Sequence, residues 1–481
     1  MDADRRTLLR AGLALLGGAA VTACGGAPPY VSPTGEPVRA AERARAGGRI
    51  TDVRLTAVAG RVDLGGPVVH TWSYDGRIPG VPVRVRAGEV IRARLANRLP
   101  AGTSVHWHGL ALRNDADGVP GVTQPPIAAG GDFVYEFTAA TPGTYWFHPH
   151  SGTQLDRGLY APLIVEDPRE RLRYDAEWTV VLDDWLDGVA GTPDDMLNRL
   201  RSGMHHGHMA MSTASALLGG DAGDVTYPHY LLNGRIAAAP ETFRARPGRR
   251  VRIRLLNAGS DTAFRVALAG HRMTITHADG YPVQPVETDT LLIAMGERYD
   301  VLVTLADGVF PLVALAEGKN ALARGLVRTG GGRAPELGLR PRELDGALVP
   351  AHALRPVQAV RLPRRDPGRT IRLELTGGMM AYDWAVNGRP YDPSVIEEVR
   401  SGERVRLAFA NHTMMWHPMH LHGHTFALTG TGVRKDTAIV LPHATLEADF
   451  DADNPGVWMV HCHNAYHAEA GMMALLGYRR P

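Results

Sequence analysis

The chain is 481 residues long, with 44% hydrophobic residues and a formal net charge of +2. That length exceeds one ordinary core and points to about three domains, which the apolar fraction suffices to fill. The near balance of charge excludes a strongly basic nucleic-acid binder and any long-range pull toward acidic lipid. The cations are almost all arginine, Lys319 and Lys435 being the two lysines. This bias matches GC-rich codon usage, and the outward arginines read as solvated surface.

At the amino end, Arg5-Arg6 precedes a small apolar run from Leu8 to Ala23. The run is short for a membrane span, which needs about 20 apolar residues. DRRTLLR resembles a twin-arginine export signal, and Val21-Thr22-Ala23-Cys24 resembles a bacterial lipobox. Residues 1–24 therefore read as a lipoprotein-type signal, with Cys24 acylated as the mature terminus. The expected location is outside the cytoplasm, periplasmic or lipid-anchored to the cell membrane, with that anchor as the one membrane contact. Residues 25–47 read as a flexible spacer. Cys462 is the other cysteine, so no disulfide framework is expected and its thiol is free to be a ligand.

Three segments repeat: VRVRAGEVIRARLANRL at 83–99, FRARPGRRVRIRLLNAG at 243–259 and EEVRSGERVRLAFANH at 397–412. Each places an asparagine nine positions after a glycine: Gly88 and Asn97, Gly248 and Asn257, Gly402 and Asn411. Upstream of each stands Asp75-Gly76-Arg77, Asn233-Gly234-Arg235 or Asn387-Gly388-Arg389. The alternation Val251-Arg252-Ile253-Arg254-Leu255 has the period of two of half-buried strands, and the glycines mark turns. The chain thus reads as all-β: three Greek-key β-sandwich domains at 48–168, 175–325 and 355–481, with a linker at 326–354. A second repeat joins the outer two. Pro142-Gly143-Thr144-Tyr145-Trp146-Phe147-His148-Pro149-His150 parallels Pro455-Gly456-Val457-Trp458-Met459-Val460-His461-Cys462-His463.

His-x-His pairs stand at His106/His108, His148/His150, His420/His422 and His461/His463. With 21 histidines in 481 residues, chance gives about one such pair. On a strand, residues i and i+2 share a face, so each pair is a two-pronged ligand. Two pairs come from the first domain and two from the third, which predicts a site between those domains. Cys462 projects from the opposite face of its strand. With His417, His467 and Met472 it makes up the two-histidine, one-cysteine, weak-methionine set of a blue-copper centre. Zinc, the competing metal for such donors, favours closed tetrahedral sites and gives no reason for eight further imidazoles.

HWHG at 106–109, YWFHPH at 145–150, HPMHLHGH at 417–424 and HCHNAYHAEAGM at 461–472 resemble the four copper motifs of three-domain multicopper oxidases, the laccase and cuprous-oxidase family. The resemblance spans essentially the whole mature chain and implies cupredoxin-like domains and four copper ions. It implies that His417, Cys462, His467 and Met472 hold a type 1 ion. His106 and His420 would hold a type 2 ion, and His108, His148, His150, His422, His461 and His463 a type 3 pair. The implied activity is four one-electron oxidations coupled to reduction of O2 to water.

Asp117, in NDADGVPG, matches an acidic position of the family and is expected to relay protons on the type 2/type 3 side. Some members carry an acid directly after the second type 1 histidine; here Ala468 stands there and Glu469 follows, which puts a relay role for Glu469 in doubt. Asp436, in RKDT, resembles an acid beside the type 1 site of copper-oxidising members. Met204, His205, His206, His208, Met209 and Met211 in GMHHGHMAMS at 203–212 could handle copper ions, as could Met379, Met380, Met414 and Met415. The expected substrate is Cu(I), the alternative a phenol or aromatic amine. A copper-free scaffold of the same fold is the non-enzyme alternative, and no nucleic-acid or protein partner is expected.

Overall fold

The computed structural model describes residues 29–45, 47–203 and 214–480. The signal read at 1–24 and the ligand-rich residues 204–212 lie outside them. Three β-sandwiches follow one another, their strands running from Ile50 to Glu166, from Ala176 to Arg328 and from Arg369 to Tyr478. Each repeats the same two parallel pairings in an otherwise antiparallel frame. Ile50–Asp63 lies parallel to Val90–Arg98, Ala176–Trp185 to Arg250–Asn257, and Arg369–Thr376 to Arg404–Asn411. In the facing sheets Val83–Arg86 pairs with Ala161–Glu166, Thr242–Arg244 with Ala321–Arg328, and Ile396–Val399 with Met473–Tyr478.

The repeated residues explain the repeated shape. Asp75-Gly76, Asn233-Gly234 and Asn387-Gly388 all have positive φ, the conformation of a tight hairpin turn. In each, the first residue's carboxylate or amide oxygen accepts a backbone N–H from the neighbouring strand: from Thr56 at 3.1 Å, Val181 at 2.7 Å and Glu374 at 2.9 Å. Gly88, Gly248 and Gly402 take φ of 90°, 75° and 83° where the chain crosses from one sheet of its sandwich to the facing one, and a side chain there would be strained. The three asparagines are buried at the ends of their strands. Asn97 Nδ2 donates to the carbonyls of Ala101, Ile127 and Ala128. Asn257 Nδ2 donates to those of Thr262 and Ile293, and Asn411 Nδ2 to those of Met415, Val440 and Leu441. One amide thus closes the loops at one end of each sandwich.

The first sandwich has its own core around Trp107, Phe137 and Phe147. The second and third share one continuous buried cluster. A smaller cluster with Val62, Trp146, Trp185 and Ala465 lies where all three meet.

One expectation is corrected. Part of the stretch read as a flexible spacer is a helix, Glu36–Ala44. Its sequence EPVRAAERA combines an early proline with strong helix formers. Val38 is buried, and Glu42 accepts from the Thr138 backbone N–H at 2.7 Å and its hydroxyl at 2.8 Å. The linker read at 326–354 is also tied down. Strand Ala321–Arg328 runs into it, Leu344 and Leu354 are buried, and the Ala347 carbonyl accepts from Thr288 Oγ1 at 2.9 Å. Pro- and Gly-rich composition marks irregular backbone, not freedom to move.

Replacing Asn257 by alanine strands two buried carbonyls in the middle sandwich. The expected loss is about 2–3 kcal/mol of stability, read as a lower denaturant midpoint; an unchanged midpoint means the amide does not hold the loops.

Candidate metal centre

Strand pairing brings the histidine pairs together. His106–His108 lies antiparallel to Gly143–His148, with His106 opposite His148. His417–Leu421 lies antiparallel to Val457–Cys462, with His420 opposite His461 and Met419 opposite Cys462. The two ribbons face each other across the interface of the first and third sandwiches. Rings stack across it: His106 on His422 at 3.8 Å and His108 on His420 at 3.7 Å between centroids.

The eight rings sort into sets by geometry. The ring nitrogens of His108, His148 and His463 lie within 4.8 Å of one another, as do those of His150, His422 and His461. His106 and His420 stand together with His108 as a third set. His106 Nε2, His148 Nε2 and His420 Nε2 are buried without a hydrogen-bond partner, as are His108 Nδ1 and both ring nitrogens of His463. Buried imidazole nitrogens without partners are costly unless something binds them, and a metal ion at each set would supply that partner.

On the other face of the 457–462 strand, Cys462 Sγ lies 3.7 Å from His417 Nδ1 and 3.7 Å from His467 Nδ1. These two nitrogens are 3.1 Å apart. Met472 is buried, and its carbonyl accepts from the Cys462 N–H at 3.1 Å. The flanking residues of the same strand belong to the other sets, His461 with His150 and His422, His463 with His108 and His148.

Outer partners fix the rings. His106 Nδ1 donates to the Asp117 carbonyl at 2.9 Å and His420 Nδ1 to the Asp436 carbonyl at 2.9 Å. His148 Nδ1 donates to the Pro149 carbonyl and His461 Nδ1 to the Cys462 carbonyl. Each bond leaves the other nitrogen to ligate. Burial pushes the rings of His108, His148, His150, His417, His422, His461 and His463 well below the ordinary imidazole range and lowers His420 as well. They are therefore neutral, the form that binds a metal. His467 differs. Burial opposes its charge, but the Asp224 carboxylate, 3.0 Å from its Nε2, and Cys462 outweigh burial and hold the ring up to about 10. A metal ion arriving there displaces a proton.

Asp117 is buried, with its carboxylate 3.0 Å from His422 Nδ1. Glu469 ends the short helix Ala465–Ala470, and its carbonyl accepts from Arg201 at 2.5 Å. Burial raises its carboxyl above the ordinary range, but among the described residues no imidazole lies in hydrogen-bond reach of it. Asp436 requires a correction. It lies at the His420 end of its ribbon, not beside Cys462, with Oδ1 3.0 Å from His108 Nε2. Arg298 grips it with both guanidinium nitrogens, at 2.7 and 2.6 Å. Burial would raise this carboxyl, yet Arg298 and the two histidines hold it well below the ordinary range. Met415 is buried in the shared core and Met379 packs against it, whereas Met380 and Met414 are 81% and 72% exposed.

Several residues that position the site carried no motif. Thr413 Oγ1 is 2.8 Å from His417 Nε2, and Asp224 also accepts from the Tyr382 hydroxyl at 2.9 Å. Gly296 of the middle sandwich has no room for a side chain, since a Cβ there would come within 2.8 Å of His463 and 3.0 Å of His108. The two lysines are both buried. Lys435 pairs with Asp279 at 3.0 Å and Glu297 at 2.9 Å. Lys319 pairs with Asp261 at 2.6 Å, and Asp261 accepts from Asn464 Nδ2 at 2.7 Å. Asn464 caps the helix that carries His467, accepting from the N–H groups of Tyr466 and His467. The one available signal was the rarity of lysine in an arginine-rich chain.

Comparison with known proteins agrees with this geometry. Three family models described as multicopper oxidase match residues 58–170, 177–332 and 364–479. The chain is 49% identical over 492 residues to multicopper oxidase MmcO of Mycobacterium tuberculosis, covering 99% of this chain and 96% of that protein. It is 28% identical to copper resistance protein A of Escherichia coli, covering 88% and 91% of the two. The crystal structure of laccase from Botrytis aclada superposes with a TM-score of 0.74 at 25% identity, covering 90% of this chain and 88% of that one. With three successive family matches spanning its sandwiches and a half-identical relative over nearly its full length, this chain belongs to the multicopper oxidases and is an oxidoreductase.

Proposed function

We propose that the chain oxidises Cu(I) outside the cytoplasm and passes four electrons to O2, giving two waters, with four copper ions as its cofactor. The reading is carried by one observation: consecutive residues of a single strand serve opposite sites, Cys462 on one face and His461 and His463 on the other. The donor sets fit copper. A thiolate with two imidazoles and a buried methionine suits a type 1 ion, for which we assign His417, Cys462, His467 and Met472. His106 and His420 are assigned to a type 2 ion, His108, His148 and His463 to one type 3 ion, and His150, His422 and His461 to the other. Bound there, copper supplies the one-electron redox chemistry and the binding of dioxygen.

The chain's own groups do the rest. The Cys462 backbone joins the two ligand sets covalently, so electrons need no diffusing carrier between them. Asp117 holds the Nδ1 proton of His422 at 3.0 Å and touches the His106 side through its carbonyl, which suits a proton relay at the oxygen-reducing end. Asp436 orients His108 and His420 instead of meeting substrate. Among the described residues Glu469 has no contact that supports a relay role. At the other end, Asp224 and Thr413 hold the outer nitrogens of His467 and His417.

Cu(I) is favoured as reductant by the thioethers around that end, and relatives named copper resistance protein A are consistent with it. A laccase-like oxidation of phenols has one observation in its support: Asp224 already binds a phenol, the Tyr382 hydroxyl. A copper-free scaffold is disfavoured by the intact ligand sets. Export and anchoring follow from the amino-terminal motifs. Cys24→Ser is expected to move the protein from the membrane fraction to the soluble exported fraction, and equal partitioning of both forms would exclude acylation.

At equal copper loading, O2 uptake is expected to be faster with Cu(I) than with ferrous iron or a phenol. Faster uptake with the phenol would replace the cuprous reading by the laccase one. Asp117→Asn is expected to slow O2 reduction by about 10–100-fold while the blue absorption still bleaches at the normal rate on adding substrate. Unslowed O2 uptake would remove Asp117 from the proton path.

A further inference from the structure

Where the three sandwiches meet, four carboxyl groups are sealed from water beside one ammonium. Asp156 comes from the short turn Gly152–Arg157 of the first sandwich. Asp183 and Asp184 come from strand Ala176–Trp185 of the second, and Asp261 from the loop after strand Arg250–Asn257. All four are buried. Among the described residues Lys319 is the one cation paired with any of them, 2.6 Å from Asp261. Arg157, next to Asp156 in sequence, turns to Asp187 and Asp194 instead.

Hydroxyls and amides stand where cations would be expected. Tyr227 donates to Asp156 Oδ2 at 3.3 Å, Tyr466 donates to the same oxygen, and Tyr160 donates to Asp183 Oδ2 at 2.6 Å. Asp184 accepts from the backbone N–H groups of Ser260 and Asp261, at 2.8 and 3.0 Å. Asp156 Oδ1 and Ser260 Oγ are buried without a hydrogen-bond partner. That is a costly setting for an ionised carboxylate, and a proton on the Asp156 carboxyl relieves it. Burial, and after it the Asp184 and Asp183 charges, push Asp156 well above the ordinary carboxyl range against the pull of the Tyr466 and Ser260 hydroxyls. Burial and Asp184 push Asp183 the same way.

The cluster bears on the Cys462 site through one helix, Ala465–Ala470. Its Tyr466 bonds Asp156 and stands next to His467 in sequence. Its Ala465 N–H donates to the Ser260 carbonyl at 2.9 Å, and its cap Asn464 donates to Asp261 at 2.7 Å. Asp156 thus ties the helix that carries His467 to the first sandwich, while Ser260 and Asp261 tie it to the second.

We propose that Asp156 is a positioning residue for His467 and acts as a pH-sensitive latch. Protonated, it seats the helix at the three-way junction; ionised, it is repelled by Asp183 and Asp184 and the helix loosens. The effect on folding rests on the carboxyl cluster alone, whereas the effect on a type 1 ion rests on the ligand assignment above. A carboxyl held above its unfolded value of about 3.9 binds its proton more tightly in the folded chain. Its contribution is complete below that value and is lost as pH rises through the folded one. The latch therefore tightens in acid and loosens in base.

The test follows the copper-loaded chain and its Asp156→Asn, Asp183→Asn and Asp156→Ala variants from acid to alkaline pH. The readings are the denaturant midpoint and the blue absorption per chain. Asparagine keeps an oxygen for the tyrosines to bond but cannot ionise. The parent's stability is therefore expected to fall with rising pH more steeply than that of either Asn variant, by up to about one proton per chain. Both Asn variants should keep their blue absorption to a pH about one unit higher. Asp183→Asn removes a repelling charge without touching the Tyr466 bond, so it reads the latch even where Asp156→Asn folds poorly. Asp156→Ala removes the bonds as well and is expected to lower the midpoint and shift the blue band at every pH. Asn variants that follow the parent's pH course overturn the latch. An Asp156→Ala chain with the parent's midpoint and band overturns the positioning role. Midpoints that behave as described in a chain that forms no blue band would uphold the latch and reject the type 1 assignment.

Discussion

A β-strand sends successive side chains to opposite faces, and at His461-Cys462-His463 that geometric necessity becomes an electrical one. The thiol meets His417 and His467, while the imidazoles on either side of it each complete a different three-histidine set. Everything else in the molecule serves to bring partners to the two faces of this segment. Domain pairing is one such service: the first sandwich contributes four rings and the third the other four. Neither could assemble any of the mixed sets alone.

Among the described residues the middle sandwich contributes none to these sets, yet it shapes both faces. Gly296 presses backbone against His463 and His108. Arg298 holds Asp436, which holds His108. Asp224 bonds His467, and the Lys319–Asp261 pair grips the cap of the helix on which His467 sits. Because the second and third sandwiches share a continuous core, these supports stand on rigid ground.

Much of this was legible in the chain. The Gly-to-Asn repeat and the Asp-Gly or Asn-Gly turns are local devices, so each left a signature in adjacent residues. The ligand pairs were legible for the same reason, since i and i+2 on a strand form a site unit by themselves. The division of the six rings assigned to a type 3 pair into two triads was not, because each triad draws on three separate segments of the chain. Asp436 was misplaced because it was read from a short-motif resemblance, which does not report that it lies at the His420 end of its ribbon. Arg298 and Asp224 were invisible: a charge in the middle domain has no local mark of reaching Asp436 or His467 of the third. The spacer failed for a different reason, since composition reports backbone irregularity and says nothing of a Val38 finding a pocket.

The buried ions around Asp436 carry one further implication. Three carboxylates, Asp279, Glu297 and Asp436, face two cations, Arg298 and Lys435, all shielded from water. A low-dielectric interior tolerates an unbalanced carboxylate poorly, and burial accordingly raises the Glu297 carboxyl above the ordinary range. Cations held by the neighbouring imidazole sets would offset that carboxylate, so the cluster that orients the rings would also strengthen their hold on metal.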